Sequence, residues 1–404
     1  MIGIHPTLPF LNGVYVAVDA VPGAYLIVDG PYCVATKAEM QHCHNIRSGV
    51  VNPVGRPKVV HTAGSVATED VAWLASDRVG AVERVFEQVC SWPEASSVYA
   101  TSFDFHELVA FPLKELCRRF SGRNSKPVRF IPSASLAGDW LDGYARFCDT
   151  LAKDMPLPKS KTKPRSAALV GYLFDRDEGD HRGNLKELRR MFSALGWSVT
   201  SVWLSGAPEA DLAGVAGASV IVSLPYARQA AKVLARRLGL PLVEAGLPLG
   251  LGGTEAFLST VGRALGCKAK ALAFAQAEAR QAVAATQAHV QRIICDRQVV
   301  ILEQDPVLAK ALNDLCVELG LIPTEAGPPD KDDQSRPERT GIEFGSSLRG
   351  GWEGAEFRVG YPNYADHPIL DRPFLGFAGF RHLVDRVASA VLSYESQKGP
   401  SGPR

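Results

Sequence analysis

The turn at residues 29–33, Asp-Gly-Pro-Tyr-Cys, holds the side chains best suited to chemistry. An apolar strand, residues 24–28, runs into this turn, and a helix-like segment, residues 34–47, leaves it. Open α/β sheets bind their ligands at the carboxyl ends of parallel strands. A cysteine at a helix N-terminus has a lowered pKa, because the helix dipole and the exposed amides favour its thiolate. Cys33 is therefore either a metal ligand or nucleophile, or a buried small hydrophobic residue, as free cysteines usually are.

Short apolar strands alternate with amphipathic helices along the chain, a pattern that predicts parallel sheets covered by helices. The predicted strands are residues 24–28, 58–61, 97–101, 127–131, 167–174, 198–204, 219–223, 242–244, 299–302, 342–345 and 356–360. The predicted helices are residues 68–89, 106–120, 136–151, 185–195, 226–238, 268–294, 307–320 and 380–394. The sequence therefore predicts an α/β fold built from three similar regions.

Breaks in this pattern give the expected domain boundaries. We expect a first Rossmann-like domain at 1–153 with Cys33 in its loop, a linker at 154–166, a second domain at 167–267, a connecting helix at 268–294, a smaller third domain at 295–394 and a disordered tail at 395–404. The linker carries three prolines and four basic residues between positions 154 and 165. It is either a solvated connection or a docking surface for an acidic partner.

Composition limits the classes of function. The chain has 404 residues, 46% hydrophobic residues and a net charge of +1, which gives no electrostatic reason to expect nucleic acid or an anionic membrane surface. The N-terminus lacks the pattern of a signal peptide, and no apolar run is long enough to span a bilayer. The eight cysteines form no C-x-x-C pair, which is typical of a reduced, cytoplasmic protein.

Two further segments have the composition of binding loops. Residues 175–183 are dense in charge but do not match an EF-hand, so we interpret them first as a surface loop and second as a loop for a partner or substrate. Residues 247–254 are glycine-rich before a helix and could cradle an anion, although they lack the Lys-Ser/Thr ending of a P-loop.

Five segments resemble the nitrogenase component 1 family in colinear order. Gly-Pro-Tyr-Cys-Val-Ala at 30–35 and Val-Val-His-Thr-Ala-Gly-Ser-Val-Ala-Thr-Glu-Asp at 59–70 resemble its cluster loop and the segment that follows. The resemblance continues through residues 171–197, 240–254 and 359–380. The family includes molybdenum-iron protein subunits, cofactor scaffolds, and the dark-operative protochlorophyllide and chlorophyllide reductases.

The resemblance implies three Rossmann-like domains around a central cleft. It also implies a [4Fe-4S] cluster at an interface between related subunits, and electrons delivered by a separate ATP-hydrolysing iron protein. Family members with a full ligand set use three cysteines in the first domain. Cys33 matches the middle one, the first would fall near residues 5–8, where there is none, and the third corresponds to Ser102. Cys33 and Ser102 are therefore the expected metal-site positions.

One thiolate cannot hold a cluster that needs four ligands. A partner subunit could supply the other ligands, two copies of Cys33 could face each other with non-cysteine help, or the cluster could be lost. We favour a heteromer with a sister chain that has the fuller cysteine set, as the resemblance to protochlorophyllide reductase suggests. Cys43 between His42 and His44 is a weak metal candidate, because adjacent helical residues point in different directions.

The active site implied by the resemblance also departs from nitrogenase. Ser223 takes the position of the cysteine that binds the active-site cofactor, and Tyr32 of the cluster turn is a second candidate to contact a cofactor. Asp366 and His367 could donate protons in the cleft, although His367 before a proline is equally well a loop residue. His61, at the end of a strand, is interpreted as an interior histidine.

The expected function is a subunit of a nitrogenase-like reductase acting on a small or tetrapyrrole-type substrate rather than dinitrogen, with a tetrapyrrole or a further metallocofactor in the cleft. The alternatives are a scaffold or carrier for metallocofactor assembly and a cluster-free structural or ligand-binding partner subunit.

Overall fold

The computed structural model describes residues 8–30, 58–63, 78–103, 106, 108, 111–123, 125–173, 179–324, 341–346, 354–361 and 368–398. Within these residues the strands form three four-stranded sheets. The first sheet contains β1 Ala24–Asp29, β2 Val59–His61, β3 Ser97–Ser102 and β4 Val128–Phe130. The second contains β5 Ser166–Val170, β6 Ser198–Val202, β7 Val220–Ser223 and β8 Leu242–Glu244. The third contains β9 Gln298–Leu302, β10 Ile322–Pro323, β11 Ile342–Gly345 and β12 Ala355–Arg358.

Helices connect these strands, as parallel pairing requires. They are α1 Phe10–Asp19, α2 Val79–Ser91, α3 Leu113–Arg123, α4 Trp140–Asp154, α5 Gly179–Leu195, α6 Glu209–Leu212, α7 Arg228–Leu238, α8 Gly250–Ala264, α9 Lys268–His289, α10 Pro306–Glu318 and α11 Gly376–Lys398. Short 3₁₀ turns follow at Ala213–Gly217 and Pro225–Ala227, and a π-helical turn at Val290–Ile294 continues α9. The predicted α/β class, with parallel sheets flanked by helices, is confirmed.

All three sheets have the same strand order. The order is β2-β1-β3-β4 in the first sheet, β6-β5-β7-β8 in the second and β10-β9-β11-β12 in the third. In each sheet the second strand lies on one side of the first strand and the third strand on the other. The connections therefore reverse direction between the first and third strands, and this topological switch point is where open α/β sheets bind ligands.

The chain divides into two compact units, each with its own core. One unit comprises residues 7–177 and 199–244 and contains the first two sheets. The other comprises residues 178–198 and 245–404 with the third sheet, and its helices α5, α9 and α11 pack on one another. The domain boundaries expected from the sequence stay predictions.

In the unit with the first two sheets, one face of the first sheet packs against α2 and α3. Phe86 and Phe120 of these helices contact each other with ring centroids 5.1 Å apart, inside a cluster that also holds Ile27. Burying an apolar side chain of this size contributes about 1.5–3 kcal/mol, so these rings are main contributors to this core. The core holds the carboxyl end of β1 in position for the turn that follows.

Helix α1 was missed by the sequence analysis. Nearly all of its side chains are buried, so it lacks the polar face that marks an amphipathic helix. It packs against α4 at close range: a Cβ added to Gly13 would lie 1.6 Å from the carbonyl oxygen of Trp140, and one added to Gly143 would lie 1.9 Å from that of Phe10. Only glycine allows the two helix backbones to approach this closely.

Other predicted elements are corrected at their ends. The strand expected at 167–174 ends at Val170, because Gly171 has a φ of +90° and leaves the sheet. The helix α5 begins at Gly179, so the second half of the loop expected at 175–183 is helical, with Asp180 and His181 buried. The final helix continues to Lys398, four residues into the segment expected to be disordered.

The long helix and the proline-led helix match their predictions. The chain is helical from Lys268 through Ile294, as the alanine-rich composition indicates. Asp305 caps α10 by accepting a hydrogen bond from the Val307 amide at 2.8 Å, and Pro306 occupies the first turn. Residues 155–165 form no helix or strand, and most of their side chains are exposed.

Candidate functional site at the strand ends

A serine stands at the carboxyl end of the third strand of every sheet. Ser102 pairs with Asp29 across β3 and β1, and Ser223 pairs with Val170 across β7 and β5. Ser346 follows directly after the pair formed by Gly345 and Leu302 in β11 and β9. Each serine therefore lies at the topological switch point of its own sheet. Two of the three, Ser102 and Ser223, are residues that the sequence analysis selected.

In the first sheet, the switch point is built around the buried carboxylate of Asp29. Its Oδ1 accepts hydrogen bonds from Thr62 Oγ1 at 2.8 Å and from the guanidinium of Arg78. Its Oδ2 lies 3.7 Å from Nδ1 of His106. Arg78 is 3% exposed and Asp29 is fully buried, so this is a buried ion pair with an added hydroxyl donor. The sequence analysis named the turn but not this cluster.

The cluster fixes the start of the turn that leads to Cys33. Thr62 Oγ1 also accepts a hydrogen bond from the Gly30 amide at 3.2 Å, and the Phe103 amide donates to the carbonyl of Asp29 at 3.0 Å. A Cβ on Gly30 would lie 2.5 Å from Cβ of Phe103. The chain therefore leaves β1 with its backbone held on both sides.

In the second sheet, Ser223 is fully buried and its hydroxyl donates to the carbonyl of Leu224 at 3.2 Å. The guanidinium of Arg228 donates to the carbonyl of Ser223. Burial lowers the pKa of Arg228, and the neighbouring charge of Glu244 partly offsets this effect. The hydroxyl of Ser223 is thus engaged by the backbone of its own turn.

In the third sheet, the residue opposite the serine is Glu303, directly after β9. Its Oε1 accepts from the Asp305 amide at 3.0 Å and lies 3.4 Å from the hydroxyl of Ser346. Burial raises the pKa of Glu303 to about 8, the nearby charge of Asp305 raises it further, and the hydrogen bonds lower it. Sequence reasoning missed both Glu303 and Ser346, because they lie just outside the predicted strands and belong to no motif.

The segment after the predicted proton donors is anchored to α5. Oδ1 of Asn184 accepts hydrogen bonds from the amides of Phe374 and Leu375 at 2.7 and 2.9 Å. A Cβ on Gly179 would lie 2.2 Å from the carbonyl oxygen of Leu370, so this segment runs directly against the helix. Asp366 and His367 themselves lie outside the described residues, as do Tyr32, Cys33, Cys43 and the predicted helix at 34–47.

The glycine-rich segment at the N-terminus of α8 already binds an anionic group, the carboxylate of Glu318. The carboxylate of Glu318 accepts hydrogen bonds from the amides of Leu251 and Gly252, both at 2.7 Å. A Cβ on Gly252 would lie 2.8 Å from Oε1 of Glu318, so glycine is needed for this approach. The anion cradle suggested by the sequence is thus satisfied by a residue of the same chain.

The three sheets and their strand-end residues define an α/β protein of the doubly wound type, with polar side chains at each switch point. Residues 105–345, more than half of the chain, match the model of the nitrogenase component 1 type oxidoreductase family. The chain belongs to this family, as the colinear motifs indicated.

Curated relatives are two different subunits of light-independent protochlorophyllide reductase. The chain is 25% identical to the N-type subunit of Halorhodospira halophila over 266 residues, which are 64% of this chain and 59% of that protein. It is 34% identical to the B-type subunit of Methylobacterium radiotolerans over 109 residues, which are 26% of this chain and 20% of that protein. The chain thus spans less than two thirds of either relative.

Solved nitrogenase structures have the same fold. Nitrogenase Cp1 at pH 6.5 superposes with a TM-score of 0.72 at 13% identity, covering 98% of this chain and 94% of that one. Nitrogenase Cp1 at pH 5 gives a TM-score of 0.63 at 10% identity, covering 100% and 92%. None of the helices in the described residues has the length and hydropathy of a membrane span.

Members of this family typically bind iron–sulfur clusters. Among the described residues, no three His, Cys, Asp or Glu side chains are grouped to bind a metal. Burial raises the pKa of Cys90, Cys117 and Cys316, which disfavours the thiolate that iron needs. Cys33, the predicted ligand, lies outside the described residues.

Proposed function

We propose that this chain is one subunit of a nitrogenase-like reductase, in which Cys33 is its single thiolate ligand to a [4Fe-4S] cluster shared with a homologous sister subunit. The sister supplies the fuller cysteine set, and an ATP-hydrolysing iron protein supplies the electrons. The family match and the two curated reductase subunits support this assignment.

The observation that carries the proposal is the construction of the first switch point. Asp29 and Gly30 are held by Thr62, Arg78 and the backbone of Phe103, so the segment leading to Cys33 starts from a rigid base. Ser102, opposite Asp29, has a hydroxyl where a full ligand set would have a thiol, which is why the sister chain must complete the set.

The substrate that fits this proposal is a tetrapyrrole or another small unsaturated molecule rather than dinitrogen. Ser223 offers a neutral hydroxyl, already donated to Leu224, in place of the thiolate that would anchor a nitrogenase-type metallocofactor. Asp366 and His367 remain the proposed proton donors from the sequence, with Tyr32 as a proposed cofactor contact.

The test is iron and acid-labile sulfide on anaerobically purified protein, alone and co-expressed with the sister subunit. We expect iron in the complex, and loss of nearly all of it in Cys33→Ala, because one missing thiolate opens the cluster to solvent and oxidant. The matched control is Cys43→Ala, a thiol ten residues along the same stretch, which should keep wild-type iron.

Each other outcome selects an alternative. No iron in any sample would leave a cluster-free structural or ligand-binding partner subunit. Iron that survives Cys33→Ala would remove Cys33 as a ligand. Iron without any turnover, when iron protein and ATP are supplied with protochlorophyllide or a short alkyne, would favour the scaffold or carrier for cofactor assembly.

A further inference from the structure

The switch points of the first and third sheets carry a carboxylate in equivalent places, and among the described residues a cation pairs with the first carboxylate but not with the second. Asp29 ends β1 opposite Ser102, and Glu303 follows β9 opposite Ser346. Asp29 is paired with Arg78. Among the described residues, the charged group that acts on Glu303 is Asp305, which has the same sign as a glutamate.

Glu303 is enclosed by the ends of two other strands, β11 and β12, and by α10. Oε2 of Glu303 is shielded from solvent and has no hydrogen-bond partner among the described residues, although the side chain as a whole is partly exposed. A Cβ on Gly360, which follows β12, would lie 2.4 Å from this oxygen and 3.0 Å from Leu308 Cδ2 of α10. Ser346 faces the other oxygen from the end of β11.

The hydrogen bonds to Glu303 do not offset its burial. Oε1 accepts from the Asp305 amide at 3.0 Å and has a long hydroxyl contact with Ser346, and the backbone of Gln304 gives a further hydrogen bond, but the loss of water around the carboxyl outweighs them. An acid with a pKa of about 8 keeps its proton at neutral pH, and a group whose pKa lies near the working pH is the most effective proton donor.

We propose that Glu303 is a proton donor of the reductase, acting on an unsaturated substrate bound at the carboxyl edge of the third sheet. The proposal rests on the proposed function for the supply of electrons. It stands on the position of Glu303 at a topological switch point and on its shielded Oε2, which has no hydrogen-bond partner among the described residues.

In this step the substrate receives two electrons and the first of two protons. Two electrons reach the substrate double bond from the iron protein, the O–H bond of the Glu303 carboxyl breaks, and a new bond forms between that hydrogen and one substrate atom. Glu303 is left as a carboxylate and regains its proton from water. The second proton is delivered to the other substrate atom from a separate donor.

The first measurement is thermal unfolding of the chain and of Glu303→Gln between pH 5 and pH 9. The pKa of Glu303 is about 8 in the folded chain and about 4.3 in the unfolded chain. Glu303 therefore contributes its full share to stability below about pH 4.3, and this contribution is lost as the pH rises to about 8. The melting temperature of Glu303→Gln relative to wild type should therefore rise from pH 5 to pH 8 and then level off. Glu356→Gln is the control, because Glu356 on β12 is partly exposed and forms an ion pair with Arg358. Its melting temperature relative to wild type should show no such trend.

The second measurement is turnover of the reconstituted complex with protochlorophyllide and, separately, a short alkyne as probes. We expect Glu303→Gln to lower kcat about 100-fold with KM changed less than about threefold, because a positioned acid contributes to the transition state. Wild-type kcat should fall above about pH 8 as Glu303 loses its proton, and the residual rate of Glu303→Gln should lack this fall. Glu303→Asp should recover part of the rate, and Glu356→Gln should keep all of it.

The outcomes separate this inference from the proposed function. Absence of iron in the wild-type complex would overturn the proposed function, whatever the behaviour of Glu303. Iron with neither probe reduced by wild type would likewise overturn the reductase function. With iron present and a probe reduced, the donor role is overturned if kcat is unchanged in Glu303→Gln or if the melting difference is independent of pH.

Discussion

The first and third sheets place a carboxylate at the same topological position but surround it with different partners. At the end of β1, Asp29 is fully buried and bound by Arg78 and Thr62. After β9, Glu303 has hydrogen bonds from the backbone of Asp305 and Gln304, one distant hydroxyl, and an acid as its charged neighbour. The first arrangement makes a rigid, ion-paired support. The second makes a group that can gain and lose a proton, so one strand order supplies both a scaffold and a candidate acid.

The difference is a matter of charge compensation rather than of burial. A buried charge is costly unless an opposite charge and hydrogen bonds replace the lost water. Arg78, directly before α2, provides the opposite charge for Asp29. No cation among the described residues acts on Glu303. Substitutions at the ends of β1 and β9 should therefore change the stability by different amounts and with different pH dependence.

Asp29→Ala should give the largest effect. It removes one partner of a buried ion pair and leaves the Arg78 charge uncompensated, so we expect a loss of about 3–5 kcal/mol in the free energy of unfolding. The measurement is urea unfolding at pH 7. Glu303→Ala should cost less at the same pH, because it breaks no ion pair.

A surface pair provides the control for Asp29→Ala. Asp19 lies 3.7 Å from Lys58 and both side chains are about a third exposed, so Asp19→Ala should change stability by less than about 1 kcal/mol. Equal losses for the two variants would show that Asp29 is not a buried support.

Gly360→Ala tests how closely the residue after β12 packs against Glu303. Gly360 has a φ of +95°, and an added Cβ would press on Glu303 and Leu308, so we expect a loss of about 2–3 kcal/mol. In a Glu303→Ala background the loss should shrink by about 1 kcal/mol, because the closest contact is gone.

Gly122→Ala is the matched glycine control. Nothing lies within 4 Å of an added Cβ in this helical position, so stability should stay the same or rise slightly. If Gly360→Ala cost no less in the Glu303→Ala background, the close approach of Gly360 to Glu303 would be contradicted.

Ser346→Ala should have the smallest effect. The Ser346 hydroxyl lowers the pKa of Glu303, so its removal should move the pH-dependent loss of stability to higher pH. The accompanying change in stability at pH 7 should be less than about 1 kcal/mol, since the contact is 3.4 Å long. Thermal unfolding against pH measures the shift, and Ser102→Ala, at the corresponding place in the first sheet, should leave it unchanged. A shift to lower pH would contradict this account.

The sequence by itself determined the elements and the family. Alternating apolar strands and amphipathic helices placed the sheets, because the strand and helix periodicities are local properties of the chain. The colinear motifs indicated the family. They also led to Ser102 and Ser223 as site residues; both stand at strand ends, and their roles stay predictions. Helix α1 was missed, because a helix buried on nearly all sides has no periodic polar face to reveal it.

Only the tertiary structure decided which strand-end carboxylate is paired with a cation and which has its pKa raised by burial. Glu303 is one acidic residue between a strand and a helix cap, with no local signature. Its environment comes from Ser346 and Gly360, more than 40 residues away along the chain, just as Arg78 comes to Asp29 from 49 residues away. The pKa of a buried acid depends on the charges, donors and excluded water around it, and these are brought together only when the chain folds.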